Sequence, residues 1–211
     1  RNRVGITFDV FEGDVAHIAG IKIIGAKAIP EKELLKMLQL STPGWLTWYT
    51  KADQYSRQKL QGDIEALRSY YMNRGYLEFN VDSPQVTISP DRKDIFITLS
   101  ITEGEKYTVS DVKLSGELLG LDDDLRKLIT VKPEETFSAE KVNASSKAIT
   151  DYLGKLGYAF SNVNANPVVD RENKRADLTF FVDPNRRVYV RRVNIGGNTR
   201  TRDAVIRREM R

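Results

Sequence analysis

Two short sequence patterns recur in this 211-residue chain, in the same order and at similar distances. The first is a branched apolar residue, any residue, an apolar residue, any residue and glycine; it occurs at 21–25, 112–116 and 193–197. The second is a tyrosine followed five residues later by Gly-Tyr; it occurs at 70–76 and 152–158. Because such self-similarity signals a fold built from like units, we expect two units of roughly 80 residues and parts of others.

Hydrophobic periodicity predicts the elements of each unit. Alternating residues before the first glycine, such as Ile21 and Ile23, indicate a strand, and the period then becomes helical. Two helices are expected, with apolar faces at Leu34, Leu38, Leu60, Ile64 and Leu67 in the first unit and at Leu125, Ile129, Val142, Ala148 and Ile149 in the second. Ser138 is expected to cap the start of the second helix of the second unit. Gly75 and Gly157 are expected to end the second helices of the two units. Turn-forming residues at 90–94 and 170–174 then separate two further strands, so each unit is predicted to be β-α-α-β-β.

The first unit contains an insertion of nine residues near 41–54, between its two helices. This segment includes Trp45, Trp48 and Tyr49. The aromatic side chains are expected either to anchor a partner, since Trp and Tyr are enriched at interface hot spots, or to fold back over the helices.

The residue types argue against catalysis and metal binding. The chain has no cysteine and one histidine, His17, so it contains no cysteine nucleophile, histidine-based triad or His/Cys metal cluster. His17 is expected on the surface beside a strand. The acidic run at 122–124 lacks the ligand spacing of an EF-hand loop and is expected to complement a helix dipole. We therefore predict no catalytic, cofactor or metal site.

The net charge of +4 is unevenly distributed. The segment 186–211 contains nine arginines and only two acidic residues, Asp203 and Glu209, while the preceding residues are slightly acidic in total. One alternative is therefore a KH-like nucleic-acid-binding repeat, because the string at 154–157 matches the G-x-x-G of KH domains. That string lies at the end of the predicted second helix, whereas a KH clamp lies between two helices. A solvated helix face is the other explanation for the arginines.

No apolar run approaches the ~18 residues of a membrane span, and the first residues lack the apolar core of a signal peptide. The expectation is either a cytosolic protein or targeting segments outside this sequence.

Two polar, proline-containing strands are the candidate binding sites. Pro84 and Pro167 place the strands at 79–86 and 160–167 at a sheet edge or bulge, because proline cannot donate to a ladder. Such an edge is expected either to bind an extended segment through main-chain hydrogen bonds or to be a protected edge that binds nothing. The candidate partner-binding residues are Phe79, Asn80, Val81, Asp82, Gln85, Val86, Asn162, Val163 and Asn164.

The repeats resemble POTRA domains, the polypeptide-transport-associated modules of the Omp85 superfamily. The resemblance rests on the Ile-x-Gly and Gly-Tyr patterns, on the strings at 67–76 and 101–104, and on 188–192 leading into 207–211. It implies an α+β fold of tandem modules, each a three-stranded mixed sheet covered on one face by two antiparallel helices. It also divides the chain into the last strand of a second module (1–14), a third module (15–106), a fourth (107–187) and the first strand and helix of a truncated fifth (188–211).

The resemblance further implies a function in the periplasm at the bacterial outer membrane. Such modules receive unfolded outer-membrane β-barrel proteins and dock accessory lipoproteins, BamD among them, ahead of a membrane-embedded barrel, with no cofactor and no bond chemistry. Arg208 and Glu209 then become candidate lipoprotein contacts. The alternatives within the superfamily are TamA-like and two-partner secretion transporters.

Overall fold

The computed structural model describes residues 16–42, 55–189, 191–192, 194–197 and 202–209. The first unit consists of β1 (His17–Ile24), α1 (Glu31–Leu35), α2 (Arg57–Met72), β2 (Asn80–Val81), β3 (Gln85–Ile88) and β4 (Asp94–Thr102). The second unit consists of β5 (Thr108–Gly116), α3 (Asp122–Lys127), α4 (Ala139–Lys155), β6 (Asn162–Asp170) and β7 (Arg175–Asp183). Helix α5 (Asp203–Glu209) follows. The predicted order of helices and strands is confirmed in both units.

Each unit has a mixed sheet with its last strand in the centre. In the second unit, β7 pairs in parallel with β5 and antiparallel with β6. In the first unit, β4 pairs in parallel with β1, and its antiparallel neighbour is divided into β2 and β3. The register changes between the two pieces, around Pro84. The expected three-stranded plan is therefore present, with one edge strand interrupted.

The two cores lie between each sheet and its long helix. Alternate residues of the central strands are buried, as their period predicts: Ile95, Ile97, Leu99 and Ile101 in β4, and Ala176, Leu178, Phe180 and Val182 in β7. The helical faces that meet them include Leu60, Ile64 and Leu67 of α2 and Val142, Ile149 and Leu153 of α4. Burial of these rows provides the main hydrophobic stabilisation of each unit.

The first helix of each unit is shorter than its apolar pattern predicts. Helix α1 ends at Leu35 and α3 at Lys127, so Leu38 and Ile129 lie in the segments that follow them. These segments are held instead by side chains of the long helices. Asp63 accepts hydrogen bonds from the N–H groups of Gln39 and Leu40, at 2.7 and 3.0 Å.

Ser145 has the corresponding role in the second unit. Its Oγ accepts from Thr130 N–H at 3.0 Å and donates to the Lys141 carbonyl at 2.8 Å. The predicted cap of α4 is confirmed, since Ser138 Oγ accepts from Lys141 N–H. The aspartates at 122–124 form the first turn of α3, where carboxylates favour the positive end of the helix dipole.

Several predictions fall outside the described residues. These are the strand at 1–14 and the aromatic side chains of Trp45, Trp48 and Tyr49. At 188–197 the described residues are not in a strand. In both complete units the equivalent strand pairs with the last strand of its own unit.

Candidate functional site

An acidic side chain binds a main-chain group on the outer edge of β1. Glu31, at the start of α1, accepts a hydrogen bond from Ile23 N–H at 2.8 Å. A bulge between Ile18 and Gly20 also interrupts the regular ladder of this strand. Because an added strand needs a row of free main-chain groups, β1 offers a poor template.

The outer edge of β5 is bound in a different way. Val109 N–H donates to the Glu135 carbonyl, and Glu134 N–H donates to the Val109 carbonyl, both at 2.8 Å. Further along the strand, the side chain of Asp111 accepts from Val112 N–H at 2.8 Å. Each parallel edge thus has one or more of its outward main-chain groups bound within its own unit.

The opposite edge of the first sheet is formed by β2 and β3. Ser89 N–H donates to the Asp94 carbonyl and Asp82 N–H to the Ser100 carbonyl, so these residues direct their main-chain groups towards β4. Because this direction alternates along a strand, the main-chain groups of Val81, Val86 and Ile88 point away from the sheet.

The same reasoning applies to β6. Thr108 N–H donates to the Lys174 carbonyl and Glu117 N–H to the Val182 carbonyl, so even-numbered residues of β7 face β5 and odd-numbered residues face β6. In the observed register, Val163, Ala165, Pro167 and Val169 therefore direct their main-chain groups outward. Pro167 lacks an N–H, which removes one outward donor and leaves the other three residues with complete main-chain groups.

These directions divide the predicted site residues into two groups. The main-chain groups of Val81, Val86 and Val163 point outward and are available to an incoming strand. Those of Asn80, Asp82, Gln85, Asn162 and Asn164 point towards the neighbouring strand, and these five side chains are exposed.

Phe79 needs a correction, because its side chain is buried in the first core. Its ring stacks on Tyr71 with 4.3 Å between centroids. Packing against the second helix has fixed this residue inside, so it supports the edge and its ring is not a contact residue. The side chain of Val163 is also buried, and only its main-chain groups point outward.

Sequence reasoning missed three outward-facing residues, Ile88, Ala165 and Val169. The signal for two of them was present in the sequence, since an edge-strand proline directs its nitrogen outward and residues two and four positions away share that direction. The third depends on the register shift beside Pro84, which only the folded sheet shows.

The remaining predicted contacts lie on α5. Arg208 and Glu209 are exposed in its last turn. The string at 154–157 spans the C-terminal end of α4, as the sequence indicated, and so does not form a loop between two helices. Among the described residues no cluster of three or more acidic or histidine side chains could hold a metal ion. No helix in the described ranges is both long and apolar enough to cross a bilayer.

Comparison with known families gives two consecutive matches. The POTRA model, described as surface antigen variable number repeat, matches residues 16–104 and 107–185. Among curated proteins, the outer membrane protein assembly factor BamA of Neisseria meningitidis serogroup B is 31% identical over 212 residues, which cover 100% of this chain. The corresponding protein of Buchnera aphidicola is also 31% identical with 100% coverage. The chain spans 27% and 34% of the length of these two relatives.

A solved structure shows the same arrangement. The crystal structure of Haemophilus influenzae BamA POTRA3-5 superposes with a TM-score of 0.79 at 26% identity, covering 94% of this chain and 78% of that one. A second structure, BamA from Haemophilus ducreyi lacking POTRA domains 1-3, has a TM-score of 0.62 at 16% identity and covers 79% of this chain and 29% of that one. At that identity it supports the fold alone.

Proposed function

The chain belongs to the POTRA family, in the tandem arrangement of outer membrane assembly factors, and from this premise we propose that it binds unfolded outer-membrane β-barrel proteins by strand addition. The proposed place is the periplasmic face of the bacterial outer membrane, where the chain supports barrel folding and insertion without a cofactor or bond chemistry. The named relatives are assembly factors, which favours this role over that of TamA-like or two-partner secretion transporters. Residues 15–106 and 107–187 are proposed as the third and fourth modules, flanked by parts of a second (1–14) and a fifth (188–211).

The observation that carries the proposal is the difference between the two edges of each sheet. On the parallel edges, Glu31 binds Ile23 N–H, the main chain of Glu134 and Glu135 binds Val109, and Asp111 binds Val112 N–H. The antiparallel edges, β2–β3 and β6, present outward main-chain groups at alternate residues. Because main-chain hydrogen bonds do not depend on side-chain identity, such edges suit a partner that accepts many different β-barrel sequences.

The absence of cysteine permits a direct test. A single cysteine at Asn164 on β6, or at Gln85 on β3, can be paired by disulfide exchange with an unfolded β-barrel protein that carries one cysteine at successive positions. Strand addition predicts cross-links at every second position, because side chains alternate between faces. The matched control is Lys113→Cys, an exposed position on the β5 edge.

Cross-linking that is equally efficient from Lys113→Cys, or that shows no period of two at either open edge, would overturn the proposal. A second measurement removes an outward donor, with Val86→Pro on β3 and Ala165→Pro on β6. Each variant is first shown to retain its far-UV circular dichroism, and binding is expected to fall only for the edge that carries the proline.

A second proposed contact is with the accessory lipoprotein BamD. It is supported by the exposed acidic side chain of Glu209 beside the cationic Arg208 in α5, which could pair with an arginine of a partner. Unchanged BamD binding by a Glu209→Arg variant would remove this second proposal and leave the first intact.

A further inference from the structure

Three asparagine side chains form a row on the antiparallel edge of the second sheet. Asn162, Asn164 and Asn166 alternate along β6, so they lie on the face of the sheet opposite the helices, and all three are exposed. Asparagine is depleted in strands, so three at alternate positions run against local preference. Within the described part of the chain, no hydrogen bond joins these side chains to another group. Each amide therefore keeps its donors and its acceptor for a partner.

The equivalent edge of the first unit lacks such a row. Asn80 and Asp82 occupy the positions of Asn162 and Asn164, and Asn80 Nδ2 donates to Asp82 Oδ1 at 3.3 Å. The register shift around Pro84 then divides this edge into β2 and β3. In contrast, β6 pairs with β7 along its whole length without a shift. Of the two described units, the second alone combines a continuous edge with unpaired amides.

Space remains beside β6 on the side of the sheet that carries the helices. A cleft of about 370 Å³ lies there between the two units, with walls from the C-terminal half of α2 and the start of α4. Ala165 and Pro167 of β6 complete this cleft. The edge of β6 is thus bordered by open space where the two units meet.

Within the described chain, the strand that matches the asparagine row is β6 itself. Antiparallel pairing of two copies about a twofold axis through Asn164 sets this residue opposite its own counterpart, and sets Asn162 opposite Asn166 of the second copy. Amide then faces amide at all three positions, and each amide offers both a donor and an acceptor to the other. Because the main-chain groups of these residues point towards β7, the facing Cα atoms would lie only about 4.5 Å apart.

The main-chain donors of β6 favour the same register independently. Val163 lies opposite Ala165 of the second copy, and both residues have complete outward main-chain groups, so each of the two symmetric pairs exchanges two hydrogen bonds. Beyond them, Pro167 lies opposite Ser161. Pro167 has no N–H, and Ser161 N–H already donates to the Tyr158 carbonyl at 3.2 Å. No free donor is therefore trapped where this pairing ends.

Other antiparallel registers lose part of this match. An axis through Ala165 sets Val163 opposite Pro167, which removes one donor from each pair, and it also sets Asn162 opposite a valine. A shift in the other direction sets Ala165 opposite Ser161, whose N–H is already used. The amide row and the main-chain donors thus select one register together.

We propose that the edge of β6 binds β6 of a second copy of this chain, in the antiparallel register centred on Asn164. The pairing joins two sheets of three strands into one, and it is isologous, since the same surface serves both copies. One pair of strands forms a small interface, so the dimer is transient and depends on concentration. The proposal goes beyond the proposed function, because it requires no substrate. The dimer engages the outward groups of β6 and so competes with an incoming strand.

Disulfide trapping tests the register, because the chain has no cysteine. Under mild oxidation, Asn164→Cys is expected to form a linked dimer about tenfold faster than Lys113→Cys, an exposed control on β5, because pairing raises the effective concentration of the facing thiols. Facing Cα atoms at this spacing lie within reach of a disulfide. Asn162→Cys and Asn166→Cys, carried on chains of different mass, are expected to form mainly the mixed dimer.

Charge exchange tests the pairing without a covalent bond. One variant carries lysine at both Asn162 and Asn166, and the other carries aspartate at both. Each variant alone sets like charges opposite each other and is expected to stay monomeric in analytical ultracentrifugation, whereas the wild-type chain dimerises as its concentration rises. An equimolar mixture sets lysine opposite aspartate and is expected to restore the dimer, which weakens as salt is added. Dimerisation by the mixture also shows that both variants fold.

The results that would overturn the pairing are specific. They are equal trapping rates for Asn164→Cys and Lys113→Cys, no excess of the mixed dimer from Asn162→Cys and Asn166→Cys, or a mixture of the charge variants that stays monomeric. These results leave the proposed function intact, because cross-linking to an unfolded β-barrel protein tests it separately. A dimer without such cross-linking would remove the proposed function and keep the pairing.

Discussion

Glu103 shows how one buried side chain ties a loop to the core of the first unit. Its carboxylate accepts from the N–H groups of Lys27 and Ala28, at 3.0 and 3.0 Å to its two oxygens, and from Tyr71 Oη at 2.7 Å. Burial alone would raise the pKa of Glu103, but these hydrogen bonds outweigh it and hold the pKa below its ordinary value. In the second unit Pro184 occupies the equivalent position, so this device belongs to the first unit alone.

Replacing Glu103 is expected to make the stability of the first unit less dependent on pH. Because its pKa is lower in the folded chain, the ionised group contributes stability above the unfolded pKa of roughly 4.3, and this is lost as the pH falls through the folded pKa. Urea denaturation should show Glu103→Gln less stable by about 1–3 kcal/mol at pH 7, with a smaller difference below pH 4. Glu105→Gln, an exposed control, should show little change. A difference that stays constant with pH would contradict this role.

The corner between each long helix and the next strand is the element that sets where the following unit begins. After α2 the chain reverses at Gly75 with φ +97°, and after α4 at Gly157 with φ +96°. The carbonyl of Gly75 accepts from Tyr107 N–H at 2.9 Å, and that of Gly157 from Val188 N–H at 2.8 Å. The Gly-Tyr pattern that revealed the repeat thus also anchors the chain that enters the next unit.

The two glycines are expected to tolerate substitution differently. A Cβ at Gly75 would lie 2.8 Å from Thr136 Cγ2 and 2.9 Å from the Tyr107 carbonyl oxygen, whereas at Gly157 the near atoms belong to the flexible side chain of Arg187. Gly157→Ala should cost about 1–2 kcal/mol for the positive φ alone. Chemical denaturation should show a larger loss of unfolding free energy for Gly75→Ala, because the main chain at Tyr107, where the second unit begins, must move.

The control for this comparison is Gly154→Ala. Gly154 lies in α4, and a Cβ there would meet no atom within 4 Å. Alanine in a helix is favoured over glycine, so this variant is expected to gain about 0.5–1 kcal/mol. Equal losses at Gly75 and Gly157 would show that contacts across the joint are unimportant.

At the scale of the whole molecule, the two units are held together by polar contacts around one buried tyrosine. Tyr107 is fully buried in the joint, and its Oη donates to Glu78 Oε2 at 2.7 Å. Glu78 also pairs with Arg171, in the β6–β7 turn, at 2.6 Å. Hydrogen bonds from Tyr107 and Arg171 lower the pKa of Glu78. A further contact joins α2 to α4, since Glu140 N–H donates to Asn73 Oδ1 at 2.8 Å.

Removing the Glu78–Arg171 pair is expected to change the orientation of the units more than their stability, because Arg171 is largely exposed. The distribution of distances between spin labels on Gln61→Cys and Lys147→Cys should broaden in an Arg171→Ala variant. The exchanged pair, Glu78→Arg with Arg171→Glu, should restore the narrower distribution. Lys127→Ala, which removes an ion pair within the second unit, is the control and should leave the distribution unchanged. An unaltered distribution in Arg171→Ala would show that the hydrophobic joint alone sets the angle.

The orientation of the units also shapes the cleft between them, because its walls come from both units. Repeat units of about 80 residues bury limited surface by themselves and gain stability from contact with their neighbours. Here the same contact also creates the cleft that borders β6.

Local patterns in the sequence were sufficient for most of the architecture. The alternation of Ile95, Ile97 and Leu99 identifies a strand with one buried face, and the four-residue spacing of Leu60 and Ile64 identifies the helix that covers it, since both periods follow directly from backbone geometry. The helix ends at Gly75 and Gly157 were predictable for the same reason. The overextension of the first helices arose because Leu38 and Ile129 continue an apolar period while Asp63 and Ser145 capture the main chain of the segments that follow α1 and α3.

What the sequence by itself determined is the repeat, the order of its elements, the faces that are buried and the strands that form sheet edges. Only the tertiary structure decided which edge of each sheet is bound within its own unit, which main-chain groups point outward, and that α2 and β6 meet at one cleft. The physical reason is that these features join residues of different elements, as Glu31 of α1 binds Ile23 of β1, or of different units, as Arg68 and Pro167 line one cleft. Such arrangements depend on how whole elements and units pack, whereas periodicity records only what neighbouring residues require of each other.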